Sequence, residues 1–301
     1  MTESVEFDGR RLRLSNLDKP LYPSGFTKAE VISYYATIVP VLLPHLRRRP
    51  VTLWRFPQGT DQKSFVHKNV AADTPPWLRT EEVAGRSSDP MRYAVLDEPA
   101  AVVWAANLAA LELHVPQWRF EEQGPGILPP DLMVFDLDPG APANLVDCCR
   151  VALRLRERLA DDGFRAWPKT SGSVGLHLLI PVRTDDPAAT SAYAKRVAQD
   201  LTRELPNQVL WRMNRAERAG KVFVDWSQNN PAKTTVVPYS LRGRSAPTVS
   251  TPLTWSEVEE CERPEQLTFT APEVLRRVAE HGDLLAEMAA DAQPISSAAR
   301  S

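Results

Sequence analysis

Two aspartates two positions apart, Asp136 and Asp138, close the run Leu132–Asp138, whose first four residues (Leu-Met-Val-Phe) are all apolar. A third, Asp225, closes a matching run, Lys221-Val-Phe-Val-Asp225. Side chains alternate across a strand, so residues two apart share one face, about 7 Å apart along the chain. Carboxylates held that way repel each other. The arrangement is costly unless a divalent cation sits between them or one takes up a proton, and a solvated turn after the strand is the bland alternative. If the two strands are neighbours, Asp136, Asp138 and Asp225 form an all-oxygen site suited to Mg2+ or Mn2+ rather than zinc. Two such ions can clamp a phosphoryl transfer, one activating the attacking oxygen and the other neutralising the leaving group.

Cations and donors for a charged substrate follow nearby. Lys233, Arg242 and Arg244 lie just past the second acidic strand end. The loop Thr170-Ser-Gly-Ser-Val-Gly-Leu-His177 offers Ser171, Ser173 and His177, and its backbone amides can approach phosphate oxygens closely. So many cations favour nucleotidyl transfer over hydrolysis. A second anion site is suggested near the start. Thr27-Lys-Ala-Glu30 is a capping box that opens a helix. Lys28 falls in its first turn, where the helix dipole disfavours a cation, and Lys19 lies just upstream. A bound anion would relieve both lysines and use the free helix-end amides; solvated lysines are the alternative. Arg47, Arg48 and Arg49 read as a solvated basic loop. On its own, His114 reads as a satisfied core residue.

These groups need elements to hold them. Arg10–Leu14 alternates as a strand, and the helix from Thr27 buries Val31, Ile32, Tyr34, Tyr35, Ile38 and Val39. Val51–Phe56 reads as a strand, Gln58–Lys68 as a polar loop carrying Phe65, and Val102–Leu113 as a buried helix leading into a strand with His114. Beyond the first acidic strand, Asn144–Leu159 is helical with Leu145, Cys149, Leu153 and Leu159 inward, and Gly163 stops it. Tyr193, Val197, Leu201 and Leu205 mark another helix, Asn214–Gly220 a connector with Arg215 and Arg218, and Pro272–Glu280 a last helix. Strand–helix alternation predicts a mixed α/β fold with central β-sheets flanked by helices. Residues 1–290 are expected as one domain, with two fused lobes as the alternative, and 291–301 as a frayed tail.

Composition sets few limits. The 301 residues are 43% hydrophobic and 25% charged, with a formal net charge of −2, so nucleic-acid binding must come from a local patch. The three cysteines have neither zinc spacing nor a disulfide framework, which predicts a reducing cytoplasm. With no apolar run near 18 residues and no leader pattern, neither export nor membrane insertion is expected.

Four motifs in order, Asp136-Leu-Asp-Pro-Gly, Thr170-Ser-Gly-Ser-x-Gly-Leu-His177, Lys221-Val-Phe-Val-Asp225-Trp-Ser-Gln-Asn and Pro238-Tyr-Ser-Leu-Arg-Gly-Arg, resemble the polymerase domain of bacterial DNA ligase D. That domain belongs to the archaeo-eukaryotic primase superfamily, and the resemblance runs from about Leu14 to Leu285. It implies a primase-like fold and a template-directed polymerase that extends DNA ends, fills short gaps and prefers NTP to dNTP, commonly with Mn2+. It assigns metal binding to Asp136, Asp138 and Asp225, and an active-site role to His114. The incoming nucleotide falls to Ser171, Ser173, His177, Gln228, Lys233, Arg242 and Arg244. Asn16, Lys19 and Lys28 match a pocket for the DNA 5′-phosphate, and Arg55, Phe65 and Arg218 match template contacts. The implied partners are gapped or broken DNA, the Ku end-binding protein and a separate DNA ligase, and the implied form is a monomer in the cytoplasm at the nucleoid.

Three departures from that family stand out. Phe65-Val66 replaces a Phe pair, Val174 replaces a common Lys, and Trp54 stands where a basic residue is frequent. With no Lys-x-Asp-Gly adenylation motif present, a stand-alone polymerase or one excised from a longer protein is expected. The alternatives are a 5′-phosphate end-binding module with little catalysis, or a metal-dependent phosphohydrolase.

Overall fold

The computed structural model describes residues 2–71, 74–84, 90–124 and 126–295. In chain order its elements are β1 (Thr2–Phe7), β2 (Arg10–Ser15), α1 (Lys28–Leu46), β3 (Pro50–Arg55), β4 (Phe65–His67), β5 (Thr80–Val83), β6 (Met91–Val95), α2 (Pro99–Asn107) and β7 (Ala110–Val115). There follow β8 (Leu132–Pro139), α3 (Leu145–Asp161), β9 (Trp167–Thr170), β10 (Leu176–Arg183), α4 (Ala189–Glu204), β11 (Val209–Leu210) and β12 (Val222–Asp225). The chain closes with β13 (Thr235–Val236), α5 (Trp255–Glu259), α6 (Ala271–His281) and β14 (Gln293–Pro294). The fold is mixed α/β, as expected. It divides into two compact units: Met1–Leu128 with Val236–Val249 and Phe269–Gly282, and Pro129–Thr235 with Ser250–Thr268 and Asp283–Ser301.

In the first unit α1 begins as its sequence dictates. The Glu30 amide donates to Thr27 Oγ1 at 3.3 Å, and the Thr27 amide to Glu30 Oε2 at 2.7 Å. Val31, Tyr34, Tyr35, Ile38 and Leu42 are almost wholly buried; each such aliphatic side chain contributes about 1.5–3 kcal/mol. Tyr34 and Tyr35 direct their hydroxyls to the carbonyls of Tyr239 (2.8 Å) and Leu111 (2.6 Å). Contrary to expectation, this helix is long and apolar enough by length and composition to cross a membrane. Its buried face belongs to the unit's hydrophobic core. Beside it lies an antiparallel sheet of order β7-β3-β6-β5, with β4 on β3.

Two expectations fail here. The helix expected over Val102–Leu113 ends at Asn107, and Ala110–Val115 is a strand. A continuous apolar run fits a buried strand as well as a buried helix, and Ala109, at φ 55, turns the chain between the two. The loop Arg47–Arg49 is not simply solvated: Arg49 is 3% exposed and donates to the carbonyls of Pro116 (3.2 Å) and Trp118 (3.0 Å).

In the second unit the sheet order is β11-β12-β8-β10-β14, with β9 on β10. β8 is central and antiparallel to both neighbours, and α3 and α4 pack against it. Met133, Val134, Phe135 and Leu137 are fully buried, which accounts for the apolar run. Asn144 and Asp147 form a capping box that starts α3. Its inner face is Leu145, Cys148, Cys149, Ala152, Leu155 and Leu159; Leu153, expected inward, is only partly buried. Asn229 fixes the turn after β12 to β8: its side-chain amide pairs with both the N–H and the C=O of Val134, each at 2.8 Å. The tail was expected to fray from 291, but Gln293–Pro294 pair in parallel with Val182–Arg183. Residues 296–301 of that expectation lie outside the described residues.

Candidate active site

The two acidic strands are neighbours. In the β8–β12 ladder Asp225 stands opposite Asp136 and Phe223 opposite Asp138; on the other side His177 of β10 stands opposite Asp136. Thus His177, Asp136 and Asp225 form one row across three strands, exposed by only 4%, 9% and 7%. Like charges directly opposite each other destabilise a sheet, and an ion without partners costs several kcal/mol to bury. The surroundings offset this. His177 Nε2 lies 3.1 Å from Asp136 Oδ1. The Gln228 amide nitrogen donates to Asp136 Oδ2 at 3.3 Å and to Asp225 Oδ2 at 3.1 Å. The Ser227 amide donates to Asp225 Oδ1 at 2.9 Å, as does its hydroxyl. Lys233 Nζ bonds to Ser227 Oγ and stands 3.6 Å from Asp225 Oδ2.

Asp138 is set apart from this pair by one pleat. It lies beside the Gly/Ser loop, where a Cβ on Gly175 would come 2.4 Å from the Leu137 carbonyl oxygen and 3.5 Å from Asp138 Oδ1. Only glycine lets the loop approach the strand so closely. Among the described residues, no group of three or more His, Cys, Asp or Glu is gathered to hold a metal ion. Asp138 lies two residues along β8 on the same face as Asp136, and Asp136 and Asp225 face each other across the ladder. The donor set still fits a hard divalent cation. Both carboxylates are acceptor-only oxygen ligands, and the positive ends of Gln228 and Lys233 are already aimed at them.

The Gly/Ser loop departs from expectation in its amides. The amides of Ser173 and Gly175 donate to Ser171 Oγ at 3.2 and 3.1 Å, and the Ser171 amide donates to the Gly175 carbonyl at 2.9 Å. Ser171 therefore closes the loop on itself, and Val174 at its tip is 62% exposed. Arg218 lays its guanidinium 4.0 Å over the Phe223 ring, one strand from Asp138.

His114, Arg242 and Arg244 belong to the first unit. His114 stacks on Trp54, with ring centroids 5.5 Å apart and planes 24° apart. Glu112, not singled out from the sequence, links these residues. It is 2% exposed, lies 2.8 Å from His114 Nε2 and 3.3 Å from Arg242 Nε, and accepts from the Gly243 amide at 2.9 Å. Burial alone would raise its carboxyl. The His114 hydrogen bond, the Arg242 guanidinium and the Gly243 amide outweigh that and hold it at about 2. The available signal was an acid inside an apolar strand, two positions before a histidine and so on its face. Arg244 is exposed.

The expected 5′-phosphate residues also gather in the first unit. Asn16 turns the chain at φ 53, and the Lys19 amide donates to its carbonyl at 3.1 Å. Lys28 is 5% exposed and donates to the Ser15 carbonyl at 2.6 Å. Burial first, then Arg55 and Lys19, lower its pKa to about 8. Lys19 Nζ donates to the Pro57 carbonyl and to Gln58 Oε1. The helix-end amides expected to meet an anion are engaged: those of Lys28 and Ala29 donate to the carbonyls of Lys19 (2.8 Å) and Leu17 (2.9 Å). Ammonium groups, not helix amides, are what this cluster can offer an anion. Arg55 stacks 5.0 Å over Phe65, which is 44% exposed, and Val66 beside it is 49% exposed.

A family model described as "LigD, primase-polymerase domain" matches residues 27–285. The chain is 46% identical over 291 residues to the multifunctional non-homologous end joining DNA repair protein LigD of Mycobacterium tuberculosis, which aligns 94% of this chain with 38% of that protein. It is 28% identical over 275 residues to the bifunctional non-homologous end joining protein LigD of Bacillus subtilis, covering 90% of this chain and 43% of that one. Among solved structures it resembles the polymerase domain from Mycobacterium tuberculosis ligase D in complex with DNA. The TM-score is 0.87 and the identity 44%, over 94% of this chain and 99% of that one. The chain thus spans less than half the length of these LigD relatives.

Proposed function

The chain belongs to the LigD primase-polymerase domain family, and from that premise we propose that it adds nucleotides to DNA ends and gaps under the direction of a template, in double-strand break joining or gap repair. The observation that carries the reading is the buried pairing of Asp136 with Asp225, flanked by His177, Gln228 and Lys233.

Asp136 and Asp225, with Asp138, would hold a divalent cation, Mn2+ or Mg2+, which when bound supplies the charge that activates the primer hydroxyl and neutralises the leaving pyrophosphate. The remaining chemistry belongs to the chain. Gln228 keeps both carboxylates turned to one point, and His177 holds Asp136 from the opposite strand. Lys233 balances the local negative charge. Ser171 sets the shape of the loop that meets the nucleotide, with Ser173 beside it. Arg242, Arg244 and His114 take the negative charge of the triphosphate. Asn16, Lys19 and Lys28 receive the DNA 5′-phosphate, and Arg55, Phe65 and Arg218 contact the template.

Preference for ribonucleotides, action as a monomer, cooperation with Ku and a separate ligase, and a cytoplasmic location at the nucleoid belong to the same proposal. The decisive experiment is extension of a gapped duplex, with and without a 5′-phosphate, comparing NTP with dNTP and Mn2+ with Mg2+. Extension that survives Asp136→Ala with Asp138→Ala defeats the proposal. So does degradation of the DNA without added nucleotide.

A further inference from the structure

The geometry of the first unit points to Glu112 as a positioning residue for nucleotide binding, its buried carboxylate fixing His114 and Arg242 together. The inference rests on the polymerase reading, which assigns those two side chains to the nucleoside triphosphate. Glu112 and His114 are two apart on β7 and share a face. The same carboxylate reaches His114 Nε2 at 2.8 Å, the Gly243 amide at 2.9 Å and Arg242 Nε at 3.3 Å. The backbone that carries Arg242 is itself immobilised. Tyr22 donates its hydroxyl to the Arg242 carbonyl at 2.9 Å. A Cβ on Gly243 would lie 2.0 Å from Phe56 Cζ, so this segment lies flat against that ring. The far face of His114 rests on the Trp54 indole. A guanidinium and an imidazole are thus set before a ligand arrives, and the rotamer freedom that binding would otherwise remove is already lost on folding.

Glu112→Gln keeps the shape and an acceptor for Gly243 but removes the charge. It is expected to raise the KM for the nucleoside triphosphate about tenfold, the scale of a charge-assisted hydrogen bond. The melting temperature is expected to fall, because the ionised carboxylate stabilises the fold, while the affinity for gapped DNA is expected to stay at its wild-type value, which a merely structural role would not give. Glu112→Asp, which keeps the charge, recovers part of the loss. The double variant with Arg242→Ala is expected to lose less than the sum of the two single losses, because Glu112 acts partly through that side chain and partly through His114. An unchanged KM in Glu112→Gln, or fully additive losses in the double variant, overturns the inference while the polymerase reading stands. Absence of extension by the wild type sinks the polymerase reading instead. Calorimetric binding of the triphosphate to the same variants then judges Glu112, and equal affinities overturn it. If Glu112→Gln does not fold, Arg242→Lys, which keeps the charge but loses the Nε contact, takes its place: a KM raised as far as by Arg242→Ala supports the inference and a wild-type KM overturns it.

Discussion

Asp225 stands directly across the β8–β12 ladder from Asp136, and one side-chain amide, that of Gln228, reaches both carboxylates. Two buried anions in register work against folding. Partners that hold them there serve a site that receives positive charge, at some expense of stability.

Asp225→Asn separates these two effects. Nucleotide extension is expected to fall more than about a hundredfold, beyond the usual loss for a residue that only supports a ligand. Stability without added metal is expected to rise by about 0.5 kcal/mol as a like-charge pair disappears. Mn2+ should raise the melting temperature of the wild type by mass action and leave that of the variant unmoved. Thermal melts with and without MnCl2 check this, and equal stabilisation of both proteins would remove the cation from the site.

Lys28 gives the chain a pH signature. Burial first, then Arg55 and Lys19, lower its pKa from 10.5 to about 8. Between those values the unfolded chain holds a proton that the folded chain does not, so stability rises with pH from about 8 toward 10.5 and is insensitive to this group below 8. Phosphate binding runs the opposite way, because it needs the ammonium. The preference for 5′-phosphorylated over 5′-hydroxyl DNA is therefore expected to be full below pH 8 and to decline above it. Binding at pH 8.5 should take up a proton, seen as a dependence of the calorimetric heat on the buffer. Lys28→Met should abolish the preference and flatten the stability profile. A preference constant from pH 7 to 9.5 would exclude Lys28 from the phosphate.

Much of this site could be read in the sequence, because its cues are local. An apolar run ending in Asp identifies β8 and β12, and the repeat of that pattern suggested that the aspartates meet if the two strands are neighbours. The Thr27–Glu30 capping box marked the start of α1. What escaped depends on partners distant along the chain. Glu112 is explained only by Arg242 and Gly243, about 130 positions later. The end of α2 turns on a positive φ at Ala109, a conformation that no glycine announces. The engagement of the Ser173 and Gly175 amides by Ser171 depends on a hydroxyl orientation that spacing does not encode.

Val174 offers a gain-of-function test. It is 62% exposed at the tip of the Gly/Ser loop, where the ligase D resemblance places a Lys, so replacing it removes no packing. Val174→Lys is expected to lower the KM for the nucleoside triphosphate about two- to fivefold, the scale of one exposed ion pair. The gain should fade in high salt. Steady-state extension at two salt concentrations measures it. An unchanged KM at low salt would place the loop tip away from the phosphates.

The three consecutive arginines before β3 look equivalent in sequence and are not equivalent in the fold. Arg47 is exposed. Arg48 has φ 58, and its amide donates to Asp97 Oδ1 at 2.6 Å. Arg49 is buried and ties the carbonyls of Pro116 and Trp118 to the start of β3. Arg47→Ala is expected to change stability by less than about 0.5 kcal/mol, as exposed sites usually do. Arg48→Gly should be neutral or stabilising, since glycine adopts a positive φ without steric cost. Arg49→Ala leaves two buried carbonyls without their donor and opens a gap, at a cost of about 2–4 kcal/mol. Urea midpoints of the three variants decide the matter: a solvated arginine loop predicts nearly equal midpoints, and the structure predicts that only Arg49→Ala falls.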